Sequence, residues 1–189
     1  MSKTIEGPIM VRGKGTGFVA HLDFEEDVIV ERDALGFALD GDIVEVALKN
    51  AVPGRRQEGK VTKVIRVAHR ELIGTVKERE IAGKKCKYLS PDNRRIHIRP
   101  LLPNASDNDL DMKVVVEIEN WKDPLKDPLA KIIETIGRAG DHETEMQAII
   151  RGGGFAKNFP EPVQEFAQKL HENQAQIFAD AIADPKRRD

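Results

Sequence analysis

Alternation of apolar and polar residues is the dominant pattern of the chain up to Gly140. Such alternation is typical of half-buried β-strands, and turn signals such as Asp40-Gly41-Asp42 and Pro53-Gly54 separate the alternating runs. The first series of predicted strands comprises residues 6–11, 13–22, 28–31, 43–48 and 57–68. Strands this short and this closely spaced predict a small five-stranded barrel over residues 5–68.

A second series of strands repeats the order of strands, turns and loops seen in the first. Its predicted strands comprise residues 72–76, 84–90, 96–100, 113–121 and 129–136. An internal repeat of this kind predicts a repeated architecture. Residues 71–138 are therefore predicted to form a second five-stranded barrel, which makes the chain mainly β.

Helical periodicity replaces the alternation after Gly140. Asp141 is an N-cap candidate for a helix over residues 141–150, and Gly152-Gly153-Gly154 ends it. A longer helix is predicted from Val163 to Ala183, with one apolar face. Residues 141–189 are thus predicted to be a helical linker whose apolar stripe needs a partner, either a barrel of this chain or a separate domain.

Composition excludes several classes of protein for this 189-residue chain. The single cysteine, Cys86, excludes an internal disulfide framework and a cysteine-based metal site. The apolar runs are too short to span a membrane, and the first residues lack the apolar segment of a secretory signal. These features predict a cytoplasmic protein.

Charge is distributed unevenly, although the net charge is only −2. Residues 54–99 contain fourteen basic and five acidic residues, so they carry +9 and the remainder of the chain carries −11. A basic middle between acidic ends favours a polyanionic partner for one face of the protein.

Residues Arg12 to Phe18 (RGKGTGF) combine basic residues, glycines and an aromatic residue ahead of an apolar alternation. A cation and an aromatic ring on one strand face suit single-stranded nucleic acid, because the cation meets phosphate and a base stacks on the ring. The alternative is an ordinary twisted strand with Phe18 in the barrel core, since large apolar residues are usually buried.

The residues predicted to contact RNA are basic or aromatic and lie on predicted strands or turns. In the first barrel they are Arg12, Lys14, Phe18, His21, Phe24 and Arg32; near the connection between the barrels they are Arg55, Arg56, Lys60 and Lys63; in the second barrel they are Lys84, Lys85, Lys87, Tyr88, Arg95, His97 and Arg99. Tyr88, the only tyrosine, is either a stacking platform or a half-buried barrel aromatic.

An ordered set of motifs runs through both barrels and into the helices. It comprises Gly41-Asp42-x-Val44, the run Arg55 to Ile65, Ile73-Gly74-Thr75-Val76, Pro91-Asp92-Asn93, Val114 to Trp121, Pro128 to Gly137 and Phe159-Pro160-x-x-Val163. In this order the motifs resemble the N-terminal half of the ribonuclease R and ribonuclease II family of 3′-to-5′ exoribonucleases. Thr16 and Ile29 stand where a cold-shock motif usually has aromatic residues.

The resemblance implies tandem OB-fold, cold-shock-like barrels that guide single-stranded RNA toward a catalytic domain with a magnesium-binding aspartate cluster. That cluster has no counterpart in this sequence. The resemblance therefore implies no catalytic residue, metal site or cofactor in this chain, which is expected to be truncated before the catalytic domain and not to degrade RNA unaided. Magnesium is expected only in that domain.

Two other classes of function stay open at the level of sequence. One is an RNA chaperone that acts without a nuclease, and the other is an interaction module whose helix 163–183 docks a separate catalytic chain. The acidic run Asp107-x-Asp109-x-Asp111 resembles a calcium loop superficially. Because it lacks the glycine and the distant glutamate of an EF-hand, it is predicted to be a solvated loop.

Overall fold

A computed structural model describes residues 3–13, 15–68, 71–81, 83–154, 161–174 and 178 of the chain. The strands are β1 (Thr4–Arg12), β2 (Thr16–Val19), β3 (Val28–Val30), β4 (Ile43–Leu48), β5 (Glu58–Arg66), β6 (Glu71–Ile81), β7 (Lys84–Pro91), β8 (Met112–Asn120) and β9 (Leu129–Arg138), and the helices are α1 (His142–Gly152) and α2 (Glu161–Glu172). The chain divides into two compact units, Met1–Gly152 and Gly153–Asp189.

Strands β1 to β5 form a closed barrel in the order β1-β2-β3-β5-β4, called the first barrel below. Neighbouring strands are antiparallel except β3 and β5, which pair in parallel through Ile29 with Glu58 and Val30 with Gly59. Alternate residues point inward and form the core, among them Ile9, Val11, Val19, Val28, Val30, Val44 and Val46. The predicted five-stranded barrel is confirmed.

The predicted Asp40-Gly41-Asp42 turn connects several strands of the first barrel. Gly41 adopts φ 85°, a conformation that favours glycine. The carboxylate of Asp42, only 2% exposed, accepts hydrogen bonds from the N–H groups of Leu39 (2.9 Å) and Ala68 (2.7 Å). Asp40 accepts one from Val11 N–H (2.7 Å). These bonds compensate the burial of two carboxylates and tie β1 to the end of β5.

Strands β6 to β9 form an antiparallel sheet in the order β7-β6-β8-β9, called the second sheet below. The mainly β architecture with C-terminal helices is thereby confirmed. The predicted second five-stranded barrel is instead a sheet of four strands, because residues 96–100, predicted as a strand, belong to no strand.

Segment 96–100 is buried at alternate residues and meets the sheet at its end, where Leu101 forms isolated bridges with Tyr88 of β7 and Leu129 of β9. Ile96 and Ile98 lie in the core of the second sheet, while Pro100 has no N–H to donate to a ladder. The carbonyl oxygen of Pro100 accepts a hydrogen bond from Leu89 N–H (2.8 Å). The alternation that predicted a strand therefore reflects alternate burial, and pairing with β7 and β9 occurs at residues 100–102.

Helix α1 packs on the second sheet through a buried ammonium group. Lys113 on β8 is 5% exposed and donates to both carboxylate oxygens of Asp92 (3.0 Å each) and to Glu145 of α1 (2.9 Å). Burial would lower the pKa of Lys113, but its hydrogen bonds to Glu145 and Asp92 outweigh burial and raise it. Arg151 of the same helix pairs with Glu71 (2.9 Å).

Residues of the first barrel contribute to the hydrophobic core of the second sheet. Leu39, which follows β3 in the first barrel, belongs to the hydrophobic core of the second sheet. Phe37 contacts Trp121 edge-on, with ring centroids 5.4 Å apart at 81°. The first barrel therefore supplies apolar side chains that the second sheet needs to cover its core.

Helix α2 belongs to the second unit. It begins at Glu161 and ends at Glu172, whereas the prediction placed a helix from Val163 to Ala183, of which residues 175–177 and 179–183 lie outside the described residues. Val163, Phe166 and Leu170 are exposed. None of the described helices is long and apolar enough to cross a membrane.

Candidate nucleic-acid interface

Phe18 lies on the outer surface of the first barrel. Its neighbours Gly17 and Val19 are buried, whereas Phe18 is half-buried and lies outside the core cluster. Across the strands Phe18 pairs with Met10 of β1 and Ile29 of β3. The alternative of a core position for Phe18 is therefore not what the structure shows.

Arg12 lies over the ring of Phe18 on this surface. Its Cζ is 5.5 Å from the ring centroid, and its Nε and Nη2 are 3.2 and 3.0 Å from Sδ of Met10. A guanidinium at this distance makes a cation–π contact and keeps N–H groups available for phosphate. Met10, Arg12, Phe18 and Ile29 are called the outer patch below. Lys14 lies outside the described residues.

The turn after β2 is held by local contacts. Phe24 packs against the core of the first barrel, and Nζ of Lys3 is 5.7 Å from its ring centroid. Lys3 also pairs with Asp23 (2.7 Å), which lowers the pKa of that carboxyl. Nδ1 of His21 accepts a hydrogen bond from Asp23 N–H (3.2 Å). Phe24 and His21 are thus engaged within the barrel more fully than Phe18.

Four basic candidates lie between β4 and the middle of β5. Arg55 and Arg56 are in the loop before β5, and Lys60 and Lys63 are exposed on β5 itself. Arg56 pairs with Glu26 (2.8 Å). Within the described part of the chain, the other three form no ion pair, so their charges are open to phosphate.

The lysines of the β6–β7 hairpin are largely paired with acids, unlike those on β5. Lys85 pairs with Glu78 (2.8 Å), and Lys87 pairs with Asp107 (2.7 Å). The hydrogen bond to Lys87 lowers the pKa of Asp107. The charge count of residues 54–99 therefore overstates the positive charge available on this hairpin, where Lys84 is exposed.

The acidic run 107–111 lies next to the β6–β7 hairpin, and its carboxylates are engaged by neighbouring residues. Asp109 accepts hydrogen bonds from the N–H and the hydroxyl of Ser106 (2.7 and 2.8 Å), and Asp111 pairs with Lys77 (2.6 Å). The three carboxylates thus point to separate partners within the protein. Among the described residues, no group of three or more histidine, cysteine, aspartate or glutamate side chains is arranged to hold a metal ion.

Tyr88 is half-buried between two guanidinium groups of the second sheet. Cζ of Arg79 is 4.8 Å and Cζ of Arg99 is 6.0 Å from its ring centroid. Asp127 holds this arrangement, because it accepts hydrogen bonds from Nη2 of Arg79 (2.7 Å) and from the main-chain N–H of Arg99 (2.7 Å). Sequence reasoning missed Arg79 and Asp127, since 48 residues separate them.

The remaining candidates lie where the first barrel meets the second sheet. Nη2 of Arg32 donates to the carbonyl oxygen of His97 (3.3 Å), and Arg95 lies 3.6 Å from Asp40. Gly15, with φ 111°, is needed here because a Cβ would lie 3.0 Å from Cγ of Arg32. Burial, reinforced by Arg32, lowers the pKa of His97 to about 4 against an opposing effect of Asp127. The imidazole is therefore neutral at pH 7.

Two protein-family profiles match the chain. The Ribonuclease B OB domain matches residues 7–64, and a Cold shock domain matches residues 88–160. Together they cover most of the first barrel and most of the second sheet with α1, in the order that the sequence motifs predicted.

Relatives and solved structures with the same domains belong to longer proteins. The chain is 29% identical to Ribonuclease R 1 of Lactococcus lactis over 184 residues, covering 89% of this chain and 22% of that protein. Mycoplasma genitalium RNase R, solved as the apo form and in complex with ribose-methylated single-stranded RNA, superposes with a TM-score of 0.72 at 20% identity, over 88% of this chain and 27% of that one. Yeast Ssd1, described as a pseudonuclease, superposes with a TM-score of 0.64 at 17% identity, over 82% of this chain and 25% of that one. The chain thus spans about a fifth of the length of the curated relatives it matches with most of its own sequence.

Proposed function

Because the chain belongs to the ribonuclease R family, as the tandem OB and cold-shock region of its members, we propose that it binds single-stranded RNA with its two β domains. The relative from Mycoplasma genitalium is described in complex with single-stranded RNA. That complex supports the proposal for the present chain without identifying the residues that make contact.

The outer patch is the observation that carries this proposal. Arg12 lies against the ring of Phe18, outside the core, on a surface formed by β1, β2 and β3. Bases stack on aromatic rings, which is worth about 1–3 kcal/mol per base, and the backbone phosphates contact cations. The patch therefore places a ring on which a base can stack next to a cation that can contact a backbone phosphate.

Phosphate contacts extend the interface beyond the outer patch. Lys60 and Lys63 on β5 are exposed without an ion pair to a described residue, and Lys84 and Arg99 are exposed at the second sheet. These contacts read charge and not sequence, so they contribute little preference for one base over another.

The finer role that we propose is guidance of RNA toward a catalytic domain. The chain spans about a fifth of the length of its relatives, and its described carboxylates form no cluster suited to a metal ion. Clustered carboxylates and metal ions are what phosphodiester hydrolysis by such enzymes requires. The 189-residue chain is therefore expected not to shorten a labelled RNA, with or without magnesium.

A second candidate function is a protein-interaction module. Val163, Phe166 and Leu170 are exposed on α2 at helical spacing along one face. We propose that this face docks a catalytic domain, either on the same polypeptide or on a separate chain.

The salt dependence of RNA binding tests the main proposal. If the chain contacts roughly four to six phosphates, log K falls with log salt at a slope of about −3 to −4, since each contact to a single strand contributes about −0.7. The measurement is fluorescence anisotropy of a labelled oligoribonucleotide at several salt concentrations. A slope near zero contradicts the proposal.

A pair of charge variants sharpens this test. Arg12→Gln removes a proposed phosphate contact and is expected to reduce the magnitude of the slope by about 0.7. Lys169→Gln makes the same change of charge on α2, outside the proposed interface, and is expected to leave the slope unchanged. Equal slopes for the two variants would remove Arg12 from the interface.

A further inference from the structure

A cavity of about 250 Å³ opens where the first barrel meets the second sheet. One wall is the turn Glu31–Asp33 that follows β3, and the opposite wall consists of His97-Ile98 and residues Pro124–Asp127. Both walls lie within the unit Met1–Gly152. This cavity is called the junction pocket below, and the outer patch does not include any of its residues.

The junction pocket is rich in hydrogen-bond acceptors. Glu31, Asp33 and Asp127 all line it. Asp127 is already engaged by Arg79 and Arg99, whereas the side chains of Glu31 and Asp33 have no hydrogen bond or ion pair to any described residue. An ionised carboxylate only accepts hydrogen bonds. A ligand of this pocket must therefore carry N–H or O–H donors.

The cations that line the junction pocket do not make it a binding site for a phosphate group alone. Arg32 and Lys126 also line it, but Lys126 pairs with Asp123 (3.2 Å) and Arg32 donates to the carbonyl of His97. Three carboxylates oppose a bare anion here. The balance of charge favours a group that donates hydrogen bonds inside the pocket while a phosphate stays at its mouth.

The remaining walls suit a flat ring. Ile98 is buried, Leu125 is 73% exposed, and both line the pocket with Pro124. Nδ1 of His97 is buried with no hydrogen-bond partner among the described residues. A buried polar atom without a partner is costly, so this wall of the pocket is polar as well as apolar.

Size restricts the ligand further. A cavity of about 250 Å³ corresponds to about eight water molecules at their share of liquid volume. That space accommodates one nucleobase. Bases of single-stranded RNA are recognised when they are splayed out and hydrogen-bonded on their edges.

We propose that the junction pocket receives one base of the bound RNA strand, and that its carboxylates select a base with an exocyclic amino group over uracil. This inference rests on the proposed function, since the base arrives as part of the RNA. Carboxylates accept hydrogen bonds from the amino group of cytosine. Uracil has a carbonyl oxygen at the same position, which is also an acceptor and cannot form a hydrogen bond with a carboxylate.

Oligocytidylate and oligouridylate of equal length form a matched pair of probes, because both carry pyrimidines with similar stacking surfaces. The full chain is expected to bind oligocytidylate about fivefold or more tightly than oligouridylate at neutral pH, as one good hydrogen-bonded base contact provides. Fluorescence anisotropy with labelled strands gives both dissociation constants.

The variant Glu31→Gln with Asp33→Asn tests whether the pocket causes this preference. Both side chains are exposed and form no hydrogen bond or ion pair with a described residue, although both interact electrostatically with Lys49, so the fold is expected to persist. Glu25→Gln with Asp27→Asn makes the same change of charge in the turn before β3, outside the pocket. Both double variants are expected to bind RNA more tightly overall, and only the first is expected to reduce the ratio of the two affinities toward one.

The outcomes separate this inference from the proposed function. If the chain binds neither oligonucleotide, both the proposed function and the inference are contradicted. If it binds both strands equally, or if both double variants keep the same ratio as the unmodified chain, RNA binding stands and the junction pocket is not a base site. A ratio that falls in the pocket variant and persists in the control supports the inference.

Discussion

The first barrel and the second sheet solve the problem of covering an apolar face in different ways. The barrel closes on itself, and its core comes from residues 5–61 of its own strands and turns. The second sheet has four strands, and its outer strands β7 and β9 are linked by isolated bridges of Leu101 to Tyr88 and Leu129. Its core therefore also draws on the irregular segment 96–102 and on Leu39 from the barrel. Continuous strand pairing removes sheet edges, whereas the second sheet depends on neighbouring segments to cover them.

The same difference extends to the aromatic residues predicted to stack on bases. Phe18 lies on the outside of the closed barrel beside one guanidinium, that of Arg12. Tyr88 lies at the second sheet beside two guanidinium groups, and Asp127 accepts hydrogen bonds from the guanidinium of Arg79 and from the main-chain N–H of Arg99. An aromatic residue in a basic strand is therefore not by itself an accessible stacking surface, because acids from distant segments decide how it is covered.

The largest expected effect comes from removing the side chain that the two domains share. Leu39→Ala is expected to lower the free energy of unfolding by about 3 kcal/mol, because a buried leucine leaves a cavity when truncated. Leu39 is in the core of the second sheet, and Trp121, the only tryptophan, packs against that core. Urea denaturation monitored by Trp121 fluorescence measures the loss of stability at the second sheet, where it is expected.

Leu35→Ala is the matched control, because Leu35 is buried in the core of the first barrel. Far-UV circular dichroism, which reports both domains, is recorded alongside the fluorescence. Leu39→Ala is expected to shift the fluorescence transition at least as far as Leu35→Ala does. A fluorescence transition that Leu39→Ala leaves in place would show that the second sheet does not depend on the first barrel.

A smaller effect is expected for the two aromatic candidates, and it should differ in kind. Phe18→Ala is expected to weaken RNA binding by about 1–3 kcal/mol, the value of one stacked base, with little change in melting temperature, because Phe18 is outside the core. Tyr88→Ala is expected to lower the melting temperature as well, since it removes contacts with two arginines. Anisotropy titrations and thermal melts are run on the same samples.

Phe166→Ala on α2 is the control for this comparison, because it removes an exposed aromatic side chain outside the β domains. Its RNA affinity should match that of the unmodified chain. A large fall in the melting temperature of Phe18→Ala would contradict this expectation and would show that Phe18 has a structural role.

The smallest expected effect concerns His97 at the boundary of the two domains. Its pKa of about 4 in the folded state is below the ordinary value of 6.5, so the unfolded chain binds the proton more readily between these values. The stabilising effect is present above about pH 6.5 and is lost as the pH falls toward 4. The loss is expected to be about 1 kcal/mol, discounted because the imidazole is partly exposed.

Urea denaturation of the unmodified chain and of His97→Asn at several pH values isolates this contribution. Carboxylates titrate in the same range in both proteins, so the quantity of interest is the difference between their free energies of unfolding. The unmodified chain is expected to lose more stability on acidification than the variant. Parallel pH profiles would mean that His97 is not held neutral by the fold.

Local sequence pattern was sufficient to place most of the strands of both domains, although β6 extends to Ile81 beyond its predicted end at residue 76. The barrel strands were predicted within a few residues of β1 and β3 to β5 because side chains alternate along each strand. The glycine-rich run 13–22 proved shorter as a strand, at Thr16–Val19, and segment 96–100 proved not to be one. Alternation predicts which residues are buried, and strand pairing additionally needs an available N–H on a neighbouring edge.

The sequence by itself determined that the chain has two mainly β domains, a basic middle and an aromatic residue in β2. Only the tertiary structure decided that Leu39 serves the other domain's core, that Asp107 engages Lys87, and that the junction pocket exists. The reason is physical. Alternation is a property of neighbouring residues, whereas the hydrogen bond between Arg32 and His97 joins residues 65 positions apart, and no local pattern encodes which distant groups will meet.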